Sequence, residues 1–106
     1  MRAVNRLDLP PDGLGSFCRR WKVLELALFG SALREDFRPE SDVDLLVTFA
    51  SDAHWTLLDL VHMENELAGL LNRRVDLVER AAVEGSENYI RRAHILRSAE
   101  PIYVEG

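Results

Sequence analysis

A glycine-serine pair followed after ten residues by an Asp-Val-Asp triplet is the feature that most constrains how this chain can fold. The pair, Gly30-Ser31, ends the apolar run Val23–Phe29, which is typical of a largely buried strand. Because glycine accepts backbone dihedral angles that other residues avoid, the strand can end there in a sharp corner. The triplet, Asp42-Val43-Asp44, opens the run Asp42–Phe49, in which side chains alternate at the period of a strand. The spacing therefore predicts two strands, with a polar corner after the first and carboxylates at the start of the second.

The residues that follow the glycine corner favour the binding of a phosphate group. Ala32–Phe37 predicts a short helical turn, which Pro39 ends because proline disfavours helical dihedral angles in the preceding residue. The first N–H groups of such a turn point back at the corner, where they and the helix dipole attract an anion. The hydroxyl group of Ser31 adds a further donor, so we expect Gly30 and Ser31 to hold phosphate.

The carboxylates of the second strand indicate a divalent metal. Period-two alternation places Asp42 and Asp44 on one face of the strand and its apolar side chains on the other face. Two like charges side by side repel each other, so the pair requires a compensating cation or a shared proton. Carboxylate oxygens, retained waters and substrate phosphates are the ligands that Mg²⁺ prefers. The triplet therefore predicts that Asp42 and Asp44 bind Mg²⁺.

The next predicted strand, Val75–Glu79, supplies a further carboxylate. Alternation places Asp76 on the face opposite its apolar neighbours. If this strand neighbours the strand of the triplet, Asp76 joins Asp42 and Asp44 as a metal ligand, a general base or both. Such a set suits one or two metal ions, and two ions about 3.5–4 Å apart stabilise the attacking and leaving oxygens of an in-line displacement. The residues thus predict nucleotidyl transfer, in which a hydroxyl attacks the α-phosphate of ATP and pyrophosphate leaves.

Each of these residues also has an ordinary structural interpretation when it is taken alone. Gly30-Ser31 could be a strand-ending turn, Asp42 could cap a turn, and Asp76 could be a solvated strand residue. The combination favours the functional interpretation, because a short motif gains weight from its structural context. Other candidate residues are interpreted as a buried thiol, partly buried indoles, surface imidazoles and solvated guanidinium groups: Cys18; Trp21 and Trp55; His54, His62 and His94; Arg91, Arg92 and Arg97.

Length, charge and composition limit the classes of function. The 106 residues, of which 47% are hydrophobic, fit a single domain over residues 1–106 that buries roughly two thirds of its unfolded surface. A net charge of −5 argues against general affinity for nucleic acids, because such binding relies on Lys and Arg that neutralise phosphates. A nucleotide or a protein is therefore the favoured substrate. The N-terminus lacks an apolar signal core and no stretch is long enough to span a membrane, so we expect a cytoplasmic location.

The remaining pattern predicts scaffold elements around the site. Apolar residues recur at helical spacing between Leu57 and Leu71, interrupted at Glu64, and Thr56 or an earlier polar residue can cap the segment. This stripe predicts a long amphipathic helix that packs in the core. The other predicted elements are a first helix, a later helix and a closing edge strand or docked tail: Pro10 or Pro11 to about Trp21, Tyr89–Ser98 and Pro101–Val104.

The segment GSALREDFRPESDVDLLVTF resembles the signature of the minimal nucleotidyltransferases (MNT type) of the DNA polymerase β superfamily. The glycine-serine pair, the ten intervening residues and the Asp-x-Asp are all in place. The later segments HWTLLDLVHMENELAGLLNRRVDLVER and YIRRAHILRSAEPIYVEG are similar to later parts of the same family, so the resemblance covers nearly the whole chain. It implies an α/β (α+β) nucleotidyltransferase fold, a small mixed sheet with helices packed mainly on one face and the carboxylates open on the other.

The resemblance also implies a role for each residue that matches the family motif. One position departs from the family pattern, because Glu35 stands where members commonly carry glycine. By resemblance, Gly30, Ser31 and Arg34 bind the triphosphate of ATP. By the same resemblance, Asp42, Asp44 and Asp76 bind one or two Mg²⁺ ions.

Family members of this size are often the antitoxin half of a two-gene toxin-antitoxin pair. The partner in such pairs resembles a small helical HEPN ribonuclease, which some members silence by attaching AMP to a tyrosine. The resemblance therefore implies a protein adenylyltransferase with a HEPN-type toxin as its partner. Two other hypotheses stay open: a non-catalytic antitoxin that neutralises its partner by contact, which Glu35 and the short chain favour, and a transferase that acts on a small antibiotic or an RNA end. So short a chain would need a partner or self-association to form the second wall of a cleft.

Overall fold

The computed structural model describes residues 11–30 and 42–105, and within them the strands form one mixed sheet. The strands are β1 (Val23–Phe29), β2 (Val43–Phe49), β3 (Val75–Glu79) and β4 (Glu100–Val104). Their order is β3-β2-β1-β4, with β1 antiparallel to β2 and β4, and β2 parallel to β3. The prediction of a small mixed sheet is therefore confirmed, as is the prediction that the last strand lies at an edge. The bounds of β1 and β3 are those predicted, while β2 begins one residue later and β4 one residue earlier.

The helices of the described ranges are α1 (Pro11–Arg20), α2 (Leu57–Leu71), α3 (Arg80–Glu84) and α4 (Tyr89–Ser98). The predicted cap of α2 is confirmed, because the N–H of Asp59 donates to Oγ1 of Thr56 at 3.2 Å, while Oδ2 of Asp59 accepts from the N–H of Thr56 at 2.8 Å. The helix ends at Asn72, whose φ of 56° lies in the left-handed region that suits a C-terminal cap. The five-residue α3 has no counterpart in the sequence predictions.

The sheet is covered on both faces, but unequally. Alternation along β2 sends Val43, Leu45 and Val47 to the larger buried cluster, as predicted. This cluster includes residues of α1 and α2, so these helices cover one face of the sheet. On the other face, Val83 of α3 and Ile95 of α4 form a smaller cluster with residues of β1 and β2. The predicted mixed α/β fold is thus confirmed, and the helices divide between the faces, with α1 and α2 on one face and α3 and α4 on part of the other.

Two sequence interpretations of buried side chains are also confirmed. Cys18 is fully buried in the larger cluster, and burial raises the pKa of its thiol to about 12, against the opposing charge of Arg19. Trp21 and Trp55 are partly buried against the same cluster, and their ring centroids lie 5.0 Å apart in an edge-to-face arrangement. The indole N–H of Trp55 donates to the carbonyl oxygen of Trp21 at 3.0 Å.

No helix in residues 11–30 and 42–105 has the length and hydropathy needed to cross a lipid bilayer.

The edge strand β3 is tied to α2 by a carboxylate. The backbone N–H of Leu77 donates to Oε2 of Glu64 at 2.8 Å. Glu64 was the residue that interrupted the apolar stripe of the predicted helix, and this bond accounts for it. When a side chain accepts a hydrogen bond from a backbone N–H of an edge strand, that N–H cannot pair with a strand of another chain.

Glu64→Ala should lower the free energy of unfolding by about 1–3 kcal/mol, because it removes the acceptor of the Leu77 N–H. Urea unfolding followed by circular dichroism would measure the change. Asn65→Ala is the matched control, since Asn65 is exposed on the same helix and its replacement should change stability by less than about 0.5 kcal/mol. Equal stability of the two variants would contradict a stabilising role for the Glu64 bond.

Candidate functional site

Residues of three neighbouring strands meet at one end of the sheet. Asp44 of β2 lies opposite Asp76 of the parallel β3 and opposite Phe29 of the antiparallel β1. Residues that face each other across neighbouring strands share one face of the sheet, so these side chains lie on the face of the smaller cluster. The role predicted for Asp76 required its strand to neighbour the strand of Asp44, and the structure shows that it does.

Gly30 brings the glycine corner into contact with a carboxylate. It follows β1 directly and has a φ of +70°, which glycine adopts without strain. A β-carbon at this position would lie 2.5 Å from Oδ2 and 3.4 Å from Cγ of Asp44. Only a residue without a side chain therefore allows the carboxylate of Asp44 to lie against the corner. The corner and the Asp-Val-Asp triplet are two sides of one site.

Asp42 lies just before β2 and forms an ion pair with Arg74. Nε of Arg74 lies 3.1 Å from Oδ1 of Asp42, and the backbone carbonyl of Arg74 accepts from the N–H of Val43 at 2.9 Å. Asp42, Arg74 and Asp76 line one cavity of about 310 Å³ at the start of β3. The sequence patterns assigned Arg74 only to the turn before β3. The sequence does show that Arg74 directly precedes β3. Its proximity to Asp42 depends on the parallel pairing of β2 and β3, which the sequence does not show.

The donor set fits a hard divalent cation. Carboxylate oxygens are ligands that suit Mg²⁺, and the missing β-carbon of Gly30 lets the carboxylate of Asp44 lie against the glycine corner. Asp44 and Asp76 are in register, whereas Asp42 is engaged with Arg74. Within the part of the chain that the structure describes, no group of three or more His, Cys, Asp or Glu side chains is placed to hold one ion. Binding by all three aspartates would therefore require their side chains to move.

Several predicted site residues lie outside the described ranges. Ser31, Arg34 and Glu35, together with the helical turn predicted over Ala32–Phe37, fall in residues 31–41. Their roles remain predictions.

The other candidate side chains have structural surroundings. The imidazoles of His54, His62 and His94 are exposed, as expected. Arg92 corrects the expectation of a solvated guanidinium group, because its Nη1 donates to the carbonyl oxygens of Glu84 and Ser86, each at 3.2 Å. These two bonds stabilise the loop between α3 and α4, because they satisfy two backbone carbonyl groups in that part of the chain.

Comparison with known sequences assigns most of the chain to a known type of domain. A family model described as a nucleotidyltransferase domain matches residues 13–97. The protein adenylyltransferase MntA of Thermococcus cleftensis is 38% identical over 65 residues, which are 61% of this chain and 64% of that protein. A relative from Methanocaldococcus jannaschii is 36% identical over 64 residues, which are 60% of this chain and 63% of its own length. The chain thus spans less than two thirds of the length of these curated relatives.

Solved structures with the same fold cover more of the chain. A structure assigned as a minimal nucleotidyltransferase is 36% identical, with a TM-score of 0.64 over 86% of this chain and 87% of the other. A crystal structure of a toxin-antitoxin with AMP-PNP has a TM-score of 0.67 at 19% identity, over 92% of this chain and 75% of the other. A complex of a tri-AMPylated Shewanella oneidensis HEPN toxin with its MNT antitoxin has a TM-score of 0.58 at 19% identity, over 89% and 69% of the two chains. At such identities the last two structures show the fold alone.

Proposed function

The chain belongs to the nucleotidyltransferase domain family, and from this premise we propose that it transfers AMP from ATP to a hydroxyl group in a Mg²⁺-dependent reaction. The acceptor that we propose is a tyrosine of a partner HEPN toxin, so that the protein acts as an antitoxin in the cytoplasm. The observation that carries the proposal is the contact between Gly30 and the carboxylate of Asp44, with Asp76 in register beside it. A phosphate held at the corner would lie directly against the carboxylates.

Each site residue has a role in this proposal. The triphosphate of ATP lies at Gly30, Ser31 and Arg34, where backbone N–H groups, a hydroxyl and a guanidinium group are suitable donors. One or two Mg²⁺ ions would be held by Asp42 and Asp44, with Asp76 as the third carboxylate. When bound, Mg²⁺ supplies positive charge that stabilises the phosphate oxygens as charge develops on them.

A carboxylate of the chain accepts the proton of the acceptor hydroxyl. The hydroxyl oxygen attacks the α-phosphorus and forms a new P–O bond, while the bond from that phosphorus to the oxygen bridging to the β-phosphate breaks. Pyrophosphate leaves with the bonding electron pair. Asp76, which is exposed at the start of the edge strand β3, accepts the hydroxyl proton as general base and releases it to solvent.

The relatives support the acceptor class. The similar protein from Thermococcus cleftensis is a protein adenylyltransferase, and two structures of similar fold are toxin-antitoxin complexes, one with AMP-PNP and one with an AMPylated toxin. We extend these properties to this chain as a single domain over residues 1–106. The toxin, or a second copy of the chain, would form the opposite wall of the active-site cleft. A net charge of −5 agrees with a protein acceptor rather than general nucleic-acid binding.

The test is to incubate the protein with its neighbouring gene product and ATP labelled at either the α- or the γ-phosphate. We expect the α-label alone to become attached to the partner, because pyrophosphate carries the γ-phosphate away. Omission of Mg²⁺ should abolish labelling. Equal labelling by the wild type and by an Asp42→Ala, Asp44→Ala double variant would contradict the proposed site.

A second candidate function is neutralisation of the partner by contact alone. The ion pair between Asp42 and Arg74 favours it, because this pair gives an aspartate of the site a structural partner. Contact alone predicts that the partner is inhibited without ATP and that the double variant inhibits it as well as the wild type does. A strict requirement for both ATP and the aspartates would exclude this function.

A further inference from the structure

Arg74 is held beside the proposed metal site by its backbone. The left-handed residue Asn72 ends α2, and two residues later the carbonyl of Arg74 accepts the N–H of Val43 at 2.9 Å. This bond joins the start of β3 to the start of β2, where the Asp-Val-Asp triplet begins. The Cα atom of Arg74 therefore cannot move far from the carboxylates, although its side chain can.

The side chain of Arg74 engages a proposed metal ligand in a solvent-accessible pair. Its Nε lies 3.1 Å from Oδ1 of Asp42, with side-chain exposures of 83% and 53%. A guanidinium group keeps its charge at any physiological pH. Glu64 and Asp76 are the other carboxylates of this cavity, and Glu64 accepts the N–H of Leu77. Arg74 thus places a positive charge against a carboxylate that the metal would use.

We propose that Arg74 competes with the divalent cation for Asp42, an inference that rests on the proposed function of the same site. Before the metal binds, the guanidinium group offsets the repulsion among the aspartates at the ends of β2 and β3. Arg74 would leave Asp42 when the metal binds, because two cations at one carboxylate repel each other. The displaced side chain remains within reach of the site, since its backbone is held by the bond to Val43.

Arg74 acts through Asp42 and is therefore a positioning residue, and its role has two consequences of opposite sign. Loss of the guanidinium group should destabilise the protein without metal, because a positive charge that offsets the carboxylate of Asp42 is removed. The same loss should increase affinity for the metal, because a competitor has gone. An exposed arginine with a purely structural role would produce the first effect without the second.

The test is a titration of the full chain with Mn²⁺, in which the electron paramagnetic resonance signal of the free ion reports binding. Arg74→Gln should lower the dissociation constant for Mn²⁺ about two- to fivefold, the range that an exposed ion pair allows. Arg74→Lys, which keeps the charge, should stay closer to the wild type. Urea unfolding without metal should show a lower midpoint for Arg74→Gln. Arg19→Gln is the control, because it removes the same charge from an exposed position on α1.

Unchanged or weaker Mn²⁺ binding by Arg74→Gln would overturn the competition, and so would an equal gain in Arg19→Gln. Binding that survives Asp42→Asn in the wild-type background would overturn it as well, since Asp42 is the contested ligand. None of these outcomes decides whether AMP is transferred. The labelling experiment with α-labelled ATP tests that reaction separately.

Discussion

Asp44→Asn should reduce the rate of α-label transfer by about a thousandfold, the equivalent of about 4 kcal/mol in activation free energy. Asparagine has the shape of aspartate, so its packing against Gly30 is retained. It lacks the negative charge that a divalent cation requires and presents an amide in place of one carboxylate oxygen. The variant therefore isolates the charge of Asp44 from its shape.

The rate should be measured with saturating ATP and Mg²⁺, together with unfolding in urea. Stability should change little, because Asp44 is half-buried at a strand end and the substitution keeps its volume. Glu87→Gln is the matched control, a carboxylate-to-amide change at an exposed loop residue, and it should leave the rate unchanged. An Asp44→Asn variant that keeps more than about a tenth of the wild-type rate would exclude Asp44 as an essential ligand.

Gly30→Ala should lower both stability and activity. Alanine at a φ of +70° is strained by about 1–2 kcal/mol, and its methyl group would lie 2.5 Å from Oδ2 of Asp44. The carboxylate must then move or the corner must open, and a shift of about 1 Å in a catalytic group can reduce a rate about a hundredfold. We expect a loss of that size in label transfer, with unfolding easier by about 1–3 kcal/mol.

Gly69→Ala is the control for this variant, because Gly69 lies on an exposed part of α2 and an added methyl group would meet no atom within 4 Å beyond its chain neighbours and the helix backbone. There alanine should stabilise the helix by about 0.5–1 kcal/mol and leave transfer unchanged. The comparison separates the general effect of replacing glycine from the specific contact with Asp44. Full activity of Gly30→Ala would show that the corner does not position this carboxylate.

Much of the fold follows from local patterns. The strands β1 and β3 and the helix α4 have the predicted bounds, since alternation and helical spacing are properties of neighbouring residues. The cap of α2 at Thr56 was likewise readable from the sequence. The short α3 was not, because five residues carry little periodic signal. The bonds of Arg92 to the loop before α4 were also missed, because they depend on how that loop folds back.

The sequence alone determined the chemical character of the site: a glycine corner able to take a positive φ and aspartates alternating with apolar residues along their strands. These are local features, set by the preferred dihedral angles of each residue and the two-residue period of a strand. Only the tertiary structure decided which of these groups touch. The parallel pairing of β2 and β3 sets Asp44 beside Asp76, the turn after β1 presses Gly30 against Asp44, and the start of β3 brings Arg74 to Asp42. Strand order and register depend on burying both faces of the sheet at once, and no single segment encodes that.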